Sequence, residues 1–85
     1  MANKLTTLSE REISVMALLA QGKSNKEIGA ILNLKYITVE RRVSRIMSKI
    51  GIHNRVLLAF YSYSKGYVTN SDIKEAIQLE RQKKW

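Results

Sequence analysis

Two helix starts set almost back to back constrain this chain more than any other feature. Ser9 and Glu12 have capping-box spacing, in which each side chain satisfies a free backbone donor of the other residue. Leu8 and Ile13 are placed as the accompanying hydrophobic staple, and Ile13, Met16, Leu19 and Ala20 then recur at helical spacing until Gly22. Ser24 and Glu27 repeat the box at once, and Ile28, Ile31 and Leu32 supply an apolar face for a short second helix. Two capped helices therefore have to meet across a link of a few residues.

The rest of the chain is punctuated the same way. Gly22, Gly51 and Gly66 each follow an apolar-periodic segment, as glycines beyond helix ends do, whereas Gly29 sits inside a pattern. There is no proline to interrupt a helix. A third helix is expected over roughly Tyr36 to Ile50, with Val39, Val43, Ile46 and Ile50 as a narrow core stripe. Its opposite face carries Ile37, Arg41, Ser44, Arg45 and Ser48, and its start is weakly signalled because Lys35 is a poor cap. Asn54 is placed to cap a fourth helix, Arg55 to Ser64. Leu58, Ala59 and Ser62 form one face of it, and Val56, Phe60 and Tyr63 another, so it needs a cover on two sides. A last helix restarts at Thr69 to Ser71 with Asp72 in its first turn. Ile73, Ala76, Ile77 and Leu79 give it a modest apolar face, and the basic tail Arg81 to Trp85 is expected to fray. The reading is an all-α bundle of five helices.

At 85 residues the chain is one small domain, near the size at which a partner subunit helps stability. With no cysteine it has no disulfide or thiolate chemistry, which fits a reducing cytoplasm, and neither a signal peptide nor a membrane-spanning run is visible. Lys and Arg number 15 against 7 Asp and Glu, a formal charge of +8 that calls for an anionic partner: nucleic acid, a membrane surface or an acidic protein. From Lys35 to Arg55 the cations are Lys35, Arg41, Arg42, Arg45, Lys49 and Arg55, with Glu40 the sole acid; a merely solvated helix face is the competing reading.

Two short helices joined through Asn33 to Lys35, the second basic on its free face, describe a helix-turn-helix. Such a unit needs a small residue where the helices touch, and Gly29 fits. It needs an apolar residue in the turn, and Leu34 fits. The outer face of the second helix then enters a DNA major groove.

Leu8-Ser9-Glu10-Arg11-Glu12-Ile13, then Leu18 through Ile28, then Thr38-Val39 and Lys49-Ile50-Gly51-Ile52-His53-Asn54-Arg55 resemble the LuxR-type domain, also called GerE-like or NarL/FixJ-type, over about Leu5 to Ser64. The resemblance implies a four-helix bundle whose third helix reads double-stranded DNA, a role in bacterial transcription regulation at the nucleoid, and a homodimer formed through the fourth helix. It places Ser24, Asn25, Lys26, Thr38, Lys49 and Arg55 near phosphate, and Glu40, Arg41 and Ser44 against bases. Arg45 is added to the base readers and Lys35 to the phosphate contacts. Val56, Phe60 and Tyr63, joined by Ile73 and Ile77 of the extension, are the expected dimer residues. On this reading residues 1–66 are the DNA-binding domain and 67–85 a helical extension.

Three positions depart from the family pattern. Lys35 stands where a serine cap is usual, Glu40 where a cation is usual, and Arg42 where histidine is common. Glu40 can accept from cytosine N4, or it can belong to a local charge pattern along its own helix. Ile37 can meet a thymine methyl or pack on the second helix. Tyr61, Tyr63 and Tyr67 can stack on single-stranded bases or serve a core or interface. A lone His53 without cysteine makes no metal site, and neither a cofactor nor a catalytic constellation is expected. The rival functional readings are an accessory that binds another regulator or RNA polymerase through its fourth or fifth helix, and charge-driven binding blind to sequence. An outer face without aromatic or leucine side chains argues against membranes. Read as complete, the chain lacks a receiver or ligand domain and would be controlled by abundance, a partner or DNA-linked dimerisation; read as a fragment, its control lies elsewhere.

Overall fold

The computed structural model describes Thr7–Lys83. The start of the resemblance at Leu5, and Lys84 and Trp85 of the expected tail, lie outside those residues. Five helices follow one another: α1 (Glu10–Ala20), α2 (Asn25–Leu32), α3 (Tyr36–Ile50), α4 (Arg55–Ser64) and α5 (Asn70–Arg81). Among the described residues there is no strand, and no helix is long and apolar enough to cross a membrane.

The helix ends form as their chemistry requires. Both expected capping boxes are present, Ser9 with Glu12 and Ser24 with Glu27, and Thr69 with Asp72 makes a third. The Asn54 side chain accepts from the Leu57 N–H at the start of α4. Lys35 offers α3 no side-chain cap. Gly51, at φ 74°, turns the chain out of α3 in the left-handed region that an unbranched backbone enters most easily.

α1 and α4 form the main pair, α2 lies on α3, and α1 touches both members of that second pair. The main pair is antiparallel. Arg55, at the start of α4, lies by the chain leaving α1, and Ser62, near its end, lies back along α1 at Met16. The core is Val15, Met16 and Leu19 of α1, Ile28 of α2, Val39, Val43 and Ile46 of α3 and Leu58 of α4, closed by Leu8. Ser62 is fully buried among them. Its hydroxyl lies 3.1 Å from the Met16 carbonyl and 3.0 Å from that of Leu58, so the polar atom is satisfied where it also ties α4 to α1.

One expectation needs correction. Ile31 is 54% exposed, because α2 rests on its Ile28 and Gly29 side. Ile50 is half-buried and packs against the core, where it ends the α3 stripe as expected. Arg81, at the start of the expected tail, belongs to α5, Gln82 caps the helix, and Lys83 pairs with Glu80 at 2.8 Å. Val68, buried in the α4–α5 link, is a core residue that no periodicity marks, since it stands outside any helix. α5 itself buries no residue fully.

The angle between α2 and α3 is set by Gly29. A Cβ added there would lie 2.6 Å from the Leu34 backbone oxygen and 3.5 Å from the Val39 side chain. The turn is drawn in by the Leu34 N–H donating to the Gly29 carbonyl at 2.8 Å, and Asn33 supports it in the left-handed region at φ 57°. Alanine at position 29 would gain about 1 kcal/mol of helix propensity. The backbone clash outweighs that gain, since overpacking costs about 1–3 kcal/mol and a carbonyl cannot swing aside as a side chain does. Gly29→Ala is therefore expected to lower the denaturant midpoint. An unchanged or raised midpoint would show that the turn adjusts freely.

Candidate nucleic-acid interface

α3 is amphipathic in the strict sense. Val39, Val43 and Ile46 are buried, whereas Ile37, Glu40, Arg41, Ser44, Arg45 and Ser48 are exposed on the far side. Among the described residues the ion pairs are Lys49–Glu12 and Lys83–Glu80, so Arg41 and Arg45 carry uncompensated charge into solvent. Ile37 is 45% exposed on the same face. Glu40 forms no ion pair; its neighbour is Tyr36, one turn earlier. Hydrogen bonding to Glu40 and its negative charge push the Tyr36 phenol above its ordinary range, with a smaller contribution from burial. Tyr36 is a neighbour of the glutamate that the four-residue spacing already makes visible in the sequence.

At the start of α2, Ser24 and Glu27 are occupied with each other. The Ser24 hydroxyl accepts from the Glu27 N–H at 3.1 Å, and the Glu27 carboxylate accepts from the Ser24 N–H at 2.9 Å. That backbone donor, with the hydroxyl, holds Glu27 below its usual carboxylate range. Arg55 reaches across from α4, donating to Asn25 Oδ1 at 2.9 Å and to the Lys23 carbonyl at 2.8 Å. The structure therefore brings Ser24, Asn25, Lys26 and Arg55 together. Arg55 braces the helix start, and the first-turn N–H groups of Asn25 and Lys26, which no residue of an α-helix accepts from, remain for an anion. Lys35 is exposed at the start of α3, and Thr38 is half-buried on its flank.

Lys49 is placed differently. Its ammonium lies 2.9 Å from Glu12 Oε1, and the two side chains are only 27% and 11% exposed. Glu12, read from sequence as a capping residue, is also the buried counter-charge that joins α1 to α3, a pairing across 37 residues that no local pattern reveals. Burial pushes the Glu12 carboxyl up. Hydrogen bonds from the Ser9 backbone and from Lys49, with the charge of Lys49, outweigh that and hold it below its ordinary value of 4.5.

On α4, Val56, Phe60 and Tyr63 align at intervals of four and three and are 62%, 64% and 47% exposed; Leu57 beside them is 52% exposed. Ile73, half-buried, and Ile77, 52% exposed, line a cleft beside Ala20, Gln21 and Gly22 at the end of α1. The Tyr63 hydroxyl hydrogen-bonds Asn70, so the α4 stripe is tied to the first residue of α5. Tyr61 and Tyr67 stack at a tilt with centroids 6.4 Å apart, next to the core.

A short capped helix meeting a longer one at Gly29, with a cationic face on the second, defines a helix-turn-helix of the DNA-binding regulatory class. Residues 6–62 match the family described as "Bacterial regulatory proteins, luxR family", and the chain belongs to that family. It is similar to the "Transcriptional regulatory protein LnrK" of Bacillus subtilis (strain 168), with 44% identity over 64 residues, 75% of this chain and 29% of that protein. It is similar to the "Probable transcriptional regulator ycf29" of Pyropia yezoensis, 40% identical over 68 residues, 80% of this chain and 31% of that one. It is also 33% identical over 61 residues to the "Response regulator protein VraR" of Staphylococcus aureus (strain NCTC 8325 / PS 47), 72% of this chain and 29% of that protein. The chain thus spans about a third of the length of these curated relatives. No solved structure matches it significantly.

The lowered Glu12 pKa links the brace to pH. A carboxyl depressed in the folded state contributes stability that is complete above its unfolded value, near 4.5, and is lost as pH falls through the folded value. Glu12→Gln is expected to cost about 1.5–3 kcal/mol near neutral pH, the range for a hydrogen bond to a charged group. It should also flatten the acid limb of the stability profile below about pH 4.5. Equal slopes for wild type and variant, followed by circular dichroism, would place the acid sensitivity in other carboxylates.

Proposed function

We propose that this chain binds double-stranded DNA sequence-specifically as a homodimer, with α3 in the major groove, and regulates bacterial transcription in the cytoplasm at the nucleoid. One observation carries the reading: the exposed face of α3 presents Arg41 and Arg45 without counter-charges, while Gly29 holds the opposite face against α2. Family membership and the transcriptional relatives support it. Arg41, Ser44 and Arg45 reach base edges, and arginine suits guanine O6 and N7. Glu40 accepts from cytosine N4, which makes it a selective rather than an attractive contact. Ser24, Asn25, Lys26, Lys35, Thr38 and Arg55 fix the register on phosphate, the α2 start through its backbone donors. Lys49 acts by holding α3 on α1.

The exposed stripe of Val56, Leu57, Phe60 and Tyr63 supports a two-fold contact through α4, where a second copy covers side chains that the domain's own core leaves bare. Residues 67–85 form the extension, and Ile73 and Ile77 extend the dimer contact from it.

Selection from a randomised duplex library at near-physiological salt is expected to recover a two-fold motif whose half-site spacing reports the dimer. Arg41→Ala should cost about 1–3 kcal/mol and relax preference at one position per half-site, and Glu40→Ala should remove a cytosine preference. Salt-sensitive recovery with no motif would reject sequence reading. Phe60→Glu is expected to yield a folded monomer by sedimentation, with the two-fold motif reduced to a half-site; an unchanged oligomeric state would move the interface off α4.

A further inference from the structure

One cleft belongs to none of the contacts assigned above. It has a volume of about 380 Å³ and is lined by Arg11 and Ser14 of α1, Leu32 and Leu34 around the turn, and Arg42 of α3. Arg11 is exposed and Arg42 half-buried, and among the described residues neither forms an ion pair. Two arginines from separate helices thus border one space whose lining holds no acid. Arg11 also stands in the first turn of α1, where the helix dipole disfavours a cation. An anion in the cleft would offset both penalties.

The position of Arg42 says which anion. Thr38, Arg42, Arg45 and Lys49 follow one another at intervals of four, three and four, a single row along the flank of α3 beside its reading face. A helix lying in a groove has a sugar–phosphate strand along each flank. On this flank Lys49, the cation expected to meet that strand, is occupied by Glu12. Resting on the duplex reading of α3, we propose that Arg11 and Arg42 form a two-helix phosphate clamp, which holds the DNA strand on the side of α3 away from the α2 start. Arginine suits the task, because its planar fork grips two phosphate oxygens at once and stays charged at any relevant pH. The clamp reads no base. It adds affinity for any duplex and fixes the tilt of α3 from the α1 side.

The test is a salt titration of binding to mixed-sequence duplex DNA, which reports backbone contacts whether or not a motif is read. Each phosphate neutralised contributes about 0.9 to the slope of log affinity against log salt, so the double variant Arg11→Gln/Arg42→Gln, which frees the one phosphate held between them, should be shallower by about 0.9 per bound protomer. The double variant Arg11→Lys/Arg42→Lys should keep the wild-type slope, which a loss of packing alone would not do. Lys74→Ala, on the exposed side of α5, should leave the slope unchanged. A wild-type slope in the glutamine variant overturns the clamp while leaving α3 as reader, and so does an equal loss in the lysine variant. Absence of any duplex binding by wild type overturns both.

Discussion

The contact between the Gly29 backbone and the Leu34 carbonyl is the constraint on which the interface depends. Because no side chain stands between α2 and the turn, α3 comes close enough for Val39 to reach the core beside Ile28. Once Val39, Val43 and Ile46 are committed inward, the 3.6-residue period leaves Ile37, Glu40, Arg41, Ser44, Arg45 and Ser48 outside. The cationic face is therefore a geometric consequence of a small residue one helix away. A chain with the same cations and a looser turn would have the charge without the orientation.

Around that contact the structure separates cations by function. Lys49 and Arg55 lie at opposite ends of the helix-turn-helix and brace it, one through a carboxylate and the other through a carbonyl and an amide oxygen. Arg41 and Arg45 have no such partners among the described residues and stay available. The difference matters energetically. A half-buried pair such as Lys49–Glu12 is costly to break because each member leaves the other desolvated, whereas exposed charges contribute little until a polyanion arrives. Fold stability and ligand affinity thus rest on different members of one basic set.

Much of this was legible in the chain itself. Helix starts were marked by Ser9, Ser24, Asn54 and Thr69, helix ends by Gly22, Gly51 and Gly66, and the inner stripe of α3 by its spacing. These are local signals, carried within a turn or two of backbone. Gly29 could be singled out because a glycine in mid-helix is unfavourable unless something needs the space. Ile31 misled because an amphipathic pattern on an eight-residue helix does not say how wide the contact is. Val68 was invisible because a buried link residue has no period.

The sequence by itself determined the helices, their order, the face of α3 that turns outward and the family, since each follows from local spacing or from a motif written in consecutive residues. Only the tertiary structure decided which charges are free. Glu12 and Lys49 are 37 positions apart, Arg55 and Asn25 are 30 apart, and Arg11 and Arg42 share a cleft from different helices. Electrostatic partnership depends on distance through space. In a bundle of short helices that distance is set by how closely backbones pack, which no stretch of sequence records on its own.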